Sequence, residues 1–301
     1  MGKVEFIEQF KSKYSIGDVI HYLNRLENLN VLCMGEMIMD VYQFGYTLGK
    51  AGKAPIVAFQ NEKREMYNGG IFVIADHLKD FVNVTYYTID KGVTKTRYIE
   101  GNQKLFETYS SMESEWETLN FNSIHDYDMV LIADFGHGMF TKELRKDIQD
   151  KAKYIALNVQ HNAGNLGFNT INKYERGDYI CIDQYELRLA LSNQYDRIED
   201  IVKDTFEDDI TVAITLSSDG CLIYKDKKVC IVPAFAENIV DTIGAGDAFL
   251  AITSPLAYIN APAEVIGFIG NCAGAVACSW QGNKYHLTRK KLIEYIKEVM
   301  K

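Results

Sequence analysis

The sequence predicts an α/β protein: a mainly parallel central sheet covered by helices on both faces, with a small β-lid standing off it. Three observations carry this. Short apolar runs alternate with helical patterns through the middle of the chain, two Tyr- and Thr-rich segments break that alternation, and the last third turns helical. Alternating strands and helices imply right-handed βαβ units and a sheet buried on both faces.

Taken in order, residues Phe6, Ile7, Phe10, Tyr14, Ile20, Leu23 and Leu26 recur at mixed three and four spacing. That spacing predicts one or two amphipathic helices before the first strand. The strands are VLCMG (Val31–Gly35), VTYYTI (Val84–Ile89), MVLIAD (Met129–Asp134), YIALNV (Tyr154–Val159), YICID (Tyr179–Asp183) and TVAITL (Thr211–Leu216). Helical patterns follow from Thr141 and Gln184, then over Gly246–Tyr258, Pro262–Ser279 and Thr288–Met300. The exceptions are Asp40–Gln60 and Val93–Ser111, where Tyr, Phe, Val and Thr alternate with turn residues. They read as β-hairpins, and long excursions of this kind often cover sites. We expect a helical extension over residues 1–30 and a main domain over 31–301, its lid drawn from about 40–60 and 84–111.

With 301 residues, 47% hydrophobic, the chain can bury a large core. No apolar run reaches the roughly 18 residues of a membrane span, and the first residues lack the apolar core of a signal peptide. The six cysteines are scattered among apolar residues without a CxxC spacing. Buried thiols and a cytoplasmic location are the expectation. A formal net charge of −9 without a basic patch argues against nucleic acid, whereas a phosphorylated metabolite needs only a few local donors.

The chemistry concentrates in NIVDTIGAGDAFLA, Asn238–Ala251. Gly244, Ala245 and Gly246 precede a helix, where backbone N–H groups lack partners and the helix dipole is positive, so they form a cradle for an anion. Asp247 repels phosphate, yet it is placed to accept a proton from a hydroxyl that attacks a phosphoryl group. Asp241 and Thr242 add a carboxylate and a hydroxyl on the approach loop, suited to holding the loop or helping to position a cation. By chance, GAGD arises in on the order of one such chain in a hundred, and with the preceding Asp-Thr in fewer than roughly one in ten thousand. The plainer reading is a glycine-bearing helix start with an ordinary first-turn acid.

DTIGAGD matches in full the DTxGAGD signature of the ribokinase-like (PfkB) carbohydrate kinases, which the chain resembles from about Val31 to Lys301. The resemblance implies a three-layer α/β/α fold, ATP-dependent phosphorylation of a sugar hydroxyl, magnesium (Mg2+) and, in some members, a monovalent cation. Within it, VLCMGEMIMD resembles the strand leading to a sugar-binding Asp, here Asp40, and NGGIFVIADHL the double-glycine segment, here Gly69 and Gly70. IDQYEL resembles the Asn-x-x-Glu motif that orders water and magnesium, here Asp183 and Glu186. TLSSDG resembles the nucleotide loop, here Thr215, Ser217 and Gly220; Asn271, apart from the resemblance, is a further candidate for contact with the adenine. KTRYIEGNQKLF and ADFGHGMFT are most similar to sugar-phosphate members, especially the heptose-7-phosphate kinase module of ADP-heptose synthesis. Lys95 and Arg97 would then clamp a sugar phosphate, with Asp134 also facing the substrate.

The sequence also departs from the family. Val73 stands where an Asn follows the double glycine, with Asp76 as the nearest polar substitute; Asp183 replaces an Asn; Gln160 and His137 stand in place of lysines. Plainer readings exist for each candidate: Asp40 as a turn cap, Lys95 and Arg97 as exposed lid charges, His137 as a solvated turn residue, Glu186 as a first-turn acid, and Asn271 as a core residue. Three functions follow: a sugar or sugar-phosphate kinase, a regulatory protein that binds sugar or nucleotide on the same scaffold, and a nucleoside kinase. Unpaired lid edges favour a homodimer through the lid. Residues 1–30 lie outside the resemblance and read as a docking segment or the remnant of a join to a nucleotidyltransferase, which this length does not hold as well.

Overall fold

The computed structural model describes residues 2–89, 91–113 and 121–301. Met1, and Asp90 within the expected lid, lie outside the described residues. Two amphipathic helices open the chain, α1 (Lys3–Lys13) and α2 (Ile16–Asn24), the second started by a reciprocal Ser15–Asp18 capping box. β1 (Asn30–Gly35) then enters the main sheet, one strand in from its edge. Two long strands follow, β2 (Met37–Lys50) and β3 (Val57–Gly70), and then helix α3 (Ile71–Leu78). The next strands are β4 (Asn83–Tyr87), β5 (Lys91–Glu100) and β6 (Gln103–Glu113).

Alternation follows as β7 (Met129–Asp134), α4 (Lys142–Lys151), β8 (Ile155–Val159), β9 (Tyr179–Asp183), α5 (Gln184–Leu191), α6 (Ile198–Thr205) and β10 (Thr211–Thr215). A hairpin of β11 (Cys221–Lys225) and β12 (Lys228–Val232) closes the sheet, and α7 (Ala245–Tyr258), α8 (Ala263–Ala277) and α9 (Arg289–Val299) complete the chain.

Among the described residues the main sheet has eight strands in the order β12-β11-β10-β9-β8-β7-β1-β4. Pairing is parallel from β4 to β10 and antiparallel only at the β10–β11–β12 edge. One apolar cluster packs α1, α2, α3, α7, α8 and α9 on one face, and a second packs α4, α5 and α6 on the other. Strand carboxyl ends therefore converge on one edge, where ligands bind in open parallel sheets.

The lid is a separate four-stranded sheet, β3-β2-β5-β6, with β2 and β5 parallel. Two boundaries differ from expectation. β3 runs on to Gly70, because the polar run Asn61–Arg64 is an edge strand carrying charges that discourage further pairing. Residues 83–87 belong to the main sheet beside β1 rather than to the lid. The β11–β12 hairpin is not evident from the sequence. Its turn puts Asp226 (φ 50°) and Lys227 (φ 65°) in left-handed backbone, without the Asn-Gly that usually marks such a turn.

The N-terminal helices are built into the core. Phe10 is buried, stacks on Phe268 of α8 at 4.2 Å, and also meets Tyr14 at 4.9 Å. None of the six cysteines is disulfide-bonded; Cys230 is partly buried and the rest are buried. Phe10→Ala is expected to cost about 3–5 kcal/mol of stability, the usual loss for a truncated core aromatic. Denaturant unfolding measures it, and a loss below about 1 kcal/mol would mark α1 as a detachable appendage.

Candidate active site

The site is built around the start of α7. Gly244 is its N-cap, with φ +83°, and a Cβ there would stand 2.7 Å from Asn283 Oδ1, so both backbone and space demand glycine. Ahead of it, the buried Asp241 carboxylate accepts the Ile243 N–H (3.2 Å), the Gly282 N–H (3.1 Å) and Lys104 Nζ (2.8 Å). Burial pushes this acid up, but Lys104 and the two amides outweigh that and hold it below the usual carboxylate range. Of the three amides expected to form the cradle, Ala245 N–H is taken by Thr242 O at 3.3 Å. Those of Gly244 and Gly246, with that of Asp247, have no hydrogen-bond partner among the described residues. A Cβ on Gly246 would meet nothing within 4 Å, so the space before these donors is open. Thr242 is exposed beside it.

Asp247 lies partly buried in the first turn of α7, with Gln160 Nε2 3.4 Å from its Oδ1. Burial pushes its carboxyl up to about 6; the charge of Asp40 adds to the rise, while Gln160 and Lys95 oppose it. It is therefore mostly ionised at neutral pH yet basic enough to take a proton.

Opposite stands the base of the lid. Asp40 on β2 is buried, ion-pairs with Arg97 and accepts Asn283 Nδ2 at 2.8 Å. A Cβ at Gly69 would sit 2.4 Å from Asp40 Oδ2, so glycine leaves room for that carboxylate. Gly70, at φ +58°, turns the chain into α3. Arg97 also approaches Glu107 at 3.5 Å and so spends its charge on two acids. Lys95 is different. It lies over the Tyr109 ring, with Nζ 5.6 Å from the centroid, and makes no ion pair within 4 Å among the described residues. Burial holds its pKa down, against the pull of the charges on Asp40 and Asp247. His137 is held low by burial and by Lys95, and its Nε2 is buried without a hydrogen-bond partner.

At the end of β10 stands Thr215, and Ser217 (φ 55°) opens a tight turn that closes with Leu216 N–H on Gly220 O at 2.8 Å. Gly220 has φ +97°, and a Cβ would strike Val232 O at 2.1 Å. Asp183 and Glu186 form a capping box: Glu186 N–H donates to Asp183 Oδ1 (2.7 Å) and Asp183 N–H to Glu186 Oε2 (2.9 Å). Burial, then the charge of Asp183, pushes Glu186 up to about 8. Among the described residues no three His, Cys, Asp or Glu side chains gather to hold a metal ion. Each acid spends one oxygen on the cap; the second oxygen of Glu186 lies 3.8 Å from His161 Nδ1. That donor set suits magnesium which keeps its waters and rides on phosphate oxygens, rather than a protein cage.

Three expected site residues lie elsewhere. Asp76 is half-exposed on α3 and pairs with Lys79 at 2.8 Å, because helical spacing turns it to solvent. Asp134 is 1% exposed and fully engaged by Tyr174 Oη (2.6 Å), Lys173 Nζ (2.5 Å), Asn169 Nδ2 (3.3 Å) and Gly136 N–H (3.0 Å), so no substrate reaches it. Asn271 spends its amide nitrogen on Val232 O (3.0 Å) and Pro233 O (2.9 Å), holding the loop after β12 instead of a base.

Four contributors escape sequence reading: Lys104, Asn283, Gln160 as a partner of Asp247, and Glu36. Buried Glu36 accepts the N–H groups of Phe135 (2.9 Å), His137 (3.0 Å) and Met139 (3.4 Å), fixing the turn that carries His137. Burial, then Asp134, pushes its carboxyl up to about 7. Of the four, only Gln160 stood out in the sequence, as the residue in place of a lysine.

Residues 72–288 match the model of the pfkB family carbohydrate kinases. The chain is 23% identical over 262 residues to the bifunctional protein HldE of a Nitratiruptor species, covering 73% of this chain and 55% of that protein. It is 25% identical over 304 residues to HldE of Campylobacter fetus, covering 85% of this chain and 64% of the relative. It thus spans little more than half to two thirds of the length of these curated relatives. Among solved structures it is similar to a ribokinase from Thermotoga maritima (TM-score 0.70, 13% identity, 89% of this chain and 99% of the other). It is also similar to phosphofructokinase-2 from Escherichia coli in complex with potassium (TM-score 0.66, 12% identity, 91% and 100%). The fold is ribokinase-like, no helix among the described residues is long and apolar enough to cross a membrane, and the chain belongs to the pfkB family of carbohydrate kinases.

Proposed function

We propose that this chain transfers the γ-phosphoryl group of ATP to a hydroxyl of a sugar that already carries a phosphate, such as a heptose phosphate. The observation that carries the reading is Lys95: a partly buried cation without a carboxylate at contact distance, in electrostatic range of both Asp40 and Asp247. With the unpartnered His137 Nε2 beside it, it makes a receptor for an anion on the substrate side. Asp40, beside the Gly69–Gly70 turn, recognises the sugar hydroxyls.

Asp247 takes the proton from the attacking hydroxyl as its oxygen bonds to the γ-phosphorus. The bond from that phosphorus to the bridging oxygen breaks, and ADP leaves. The free amides of Gly244, Gly246 and Asp247 receive the charge gathering on the phosphoryl oxygens. Magnesium, when bound with ATP, supplies further charge neutralisation, and Glu186 with Asp183 would orient its waters. The lid excludes water from the reacting centre. Thr215, Ser217 and Gly220 form the floor for the nucleotide.

The Asp247→Asn variant is expected to bind ATP as the wild type does and to lose phosphoryl transfer by at least roughly 100-fold. Coupled ADP release across neutral sugars and sugar phosphates reads both points. Turnover unchanged in the variant, or faster with neutral sugars than with phosphates, contradicts the reading. ATP binding with no turnover of any sugar favours the regulatory role instead.

The lid also suggests a partner. β6 is an edge strand with Leu105, Phe106 and Tyr109 exposed, and β2 runs past the end of β5 with Tyr46 and Leu48 exposed. Pairing with a second copy would cover these edges. Light scattering at micromolar concentration is expected to give the mass of a dimer, and a monomer contradicts it.

A further inference from the structure

We propose that Lys104 is a positioning residue that ties closure of the lid to the shape of the phosphoryl-binding loop. The inference rests on the kinase reading for its effect on rate, and on geometry alone for its effect on the loop.

Asp241 is the anchor of that loop, since its carboxylate holds the N–H groups of Ile243 and Gly282 together. Its own N–H donates to Cys278 O at 3.3 Å. The side chain is 6% exposed, and a buried carboxylate with no counter-ion is costly. The cation within 4 Å of it is Lys104, at 2.8 Å, 137 residues away in the chain. Lys104 lies two residues beyond Asn102, the turn residue that joins β5 to β6, so it comes from the lid.

Two further lid contacts converge on the same loop. Asp40 holds Asn283, whose Oδ1 abuts Gly244. The Tyr42 ring packs so closely on Gly282 that a Cβ there would stand 2.2 Å from its hydroxyl. Lifting the lid thus removes the counter-ion from a buried acid and loosens Gly282 and Asn283 beneath Gly244. The cradle takes its working shape only under a closed lid, which suppresses transfer to water while the site is open.

The test compares wild type, Lys104→Met, Lys104→Arg, Asp241→Asn and the double variant, all in the full chain. Hydrogen exchange of the Ile243 and Gly282 amides, both held by Asp241, is expected to speed up in Lys104→Met and much less in Lys104→Arg. kcat is expected to fall roughly 10-fold in Lys104→Met, within the usual range for coupling between sites, and to be partly restored by added methylammonium. Adding Asp241→Asn should then cost no more than Asp241→Asn alone. Unchanged amide exchange in Lys104→Met, or losses that simply add in the double variant, overturn the proposal. A wild type without turnover would refute the kinase reading, and the exchange measurement would still decide this one.

Discussion

The structure depends on one electrostatic arrangement: an ionised Asp247 held in the first turn of α7, beside amides that attract anions. Such a carboxylate is stable there because the helix N-terminus is positive, and burial makes it basic enough to accept a proton. Much of the surrounding geometry keeps that acid and those amides side by side. Gly244 turns the backbone, Asp241 clamps the loop from behind, and Gln160 reaches Asp247 from the end of β8.

The cleft's charges divide by origin. Asp183 and Asp247 come from the main layers and Asp40 from the base of the lid, and their negative charges would repel an anionic ligand if left uncompensated. Glu186, pushed up to about 8, adds little at neutral pH. Lys95, Arg97 and Lys104 all come from β5 and β6 of the lid. Closure of the lid, as proposed, would do electrostatic work as well as exclude water. It would bring positive charge to an acidic sheet edge in a protein of formal net charge −9. Arg97 is committed to Asp40 and Glu107 and Lys104 to Asp241, whereas Lys95 makes no ion pair among the described residues.

Much of this was legible in the sequence wherever the determinant is local. The parallel strands showed as short apolar runs, the late helices as periodic apolar faces, and the loop before α7 as the compact motif Asp241–Asp247. The lid was visible as a break in alternation, although the polar stretch Asn61–Arg64 hid the length of β3. What stayed hidden is pairing across long separations: Lys104 with Asp241, Asn283 with Asp40, and Glu36 with the 135–139 turn. Asp134 and Asn271 misled for the same reason. A polar residue at a strand end or on a helix looks the same in sequence whether a ligand or a neighbouring backbone satisfies it, and here Lys173, Tyr174 and the Val232–Pro233 carbonyls do so.

The central claim is that Asp247 acts as the base, and the pH dependence of kcat/KM for the sugar tests it most directly. A base must be ionised to work, so kcat/KM should be level at neutral pH and fall about tenfold per pH unit once pH drops below about 6. A profile that stays flat from about pH 7 to about pH 5, across the range in which this carboxyl gains its proton, would contradict the account.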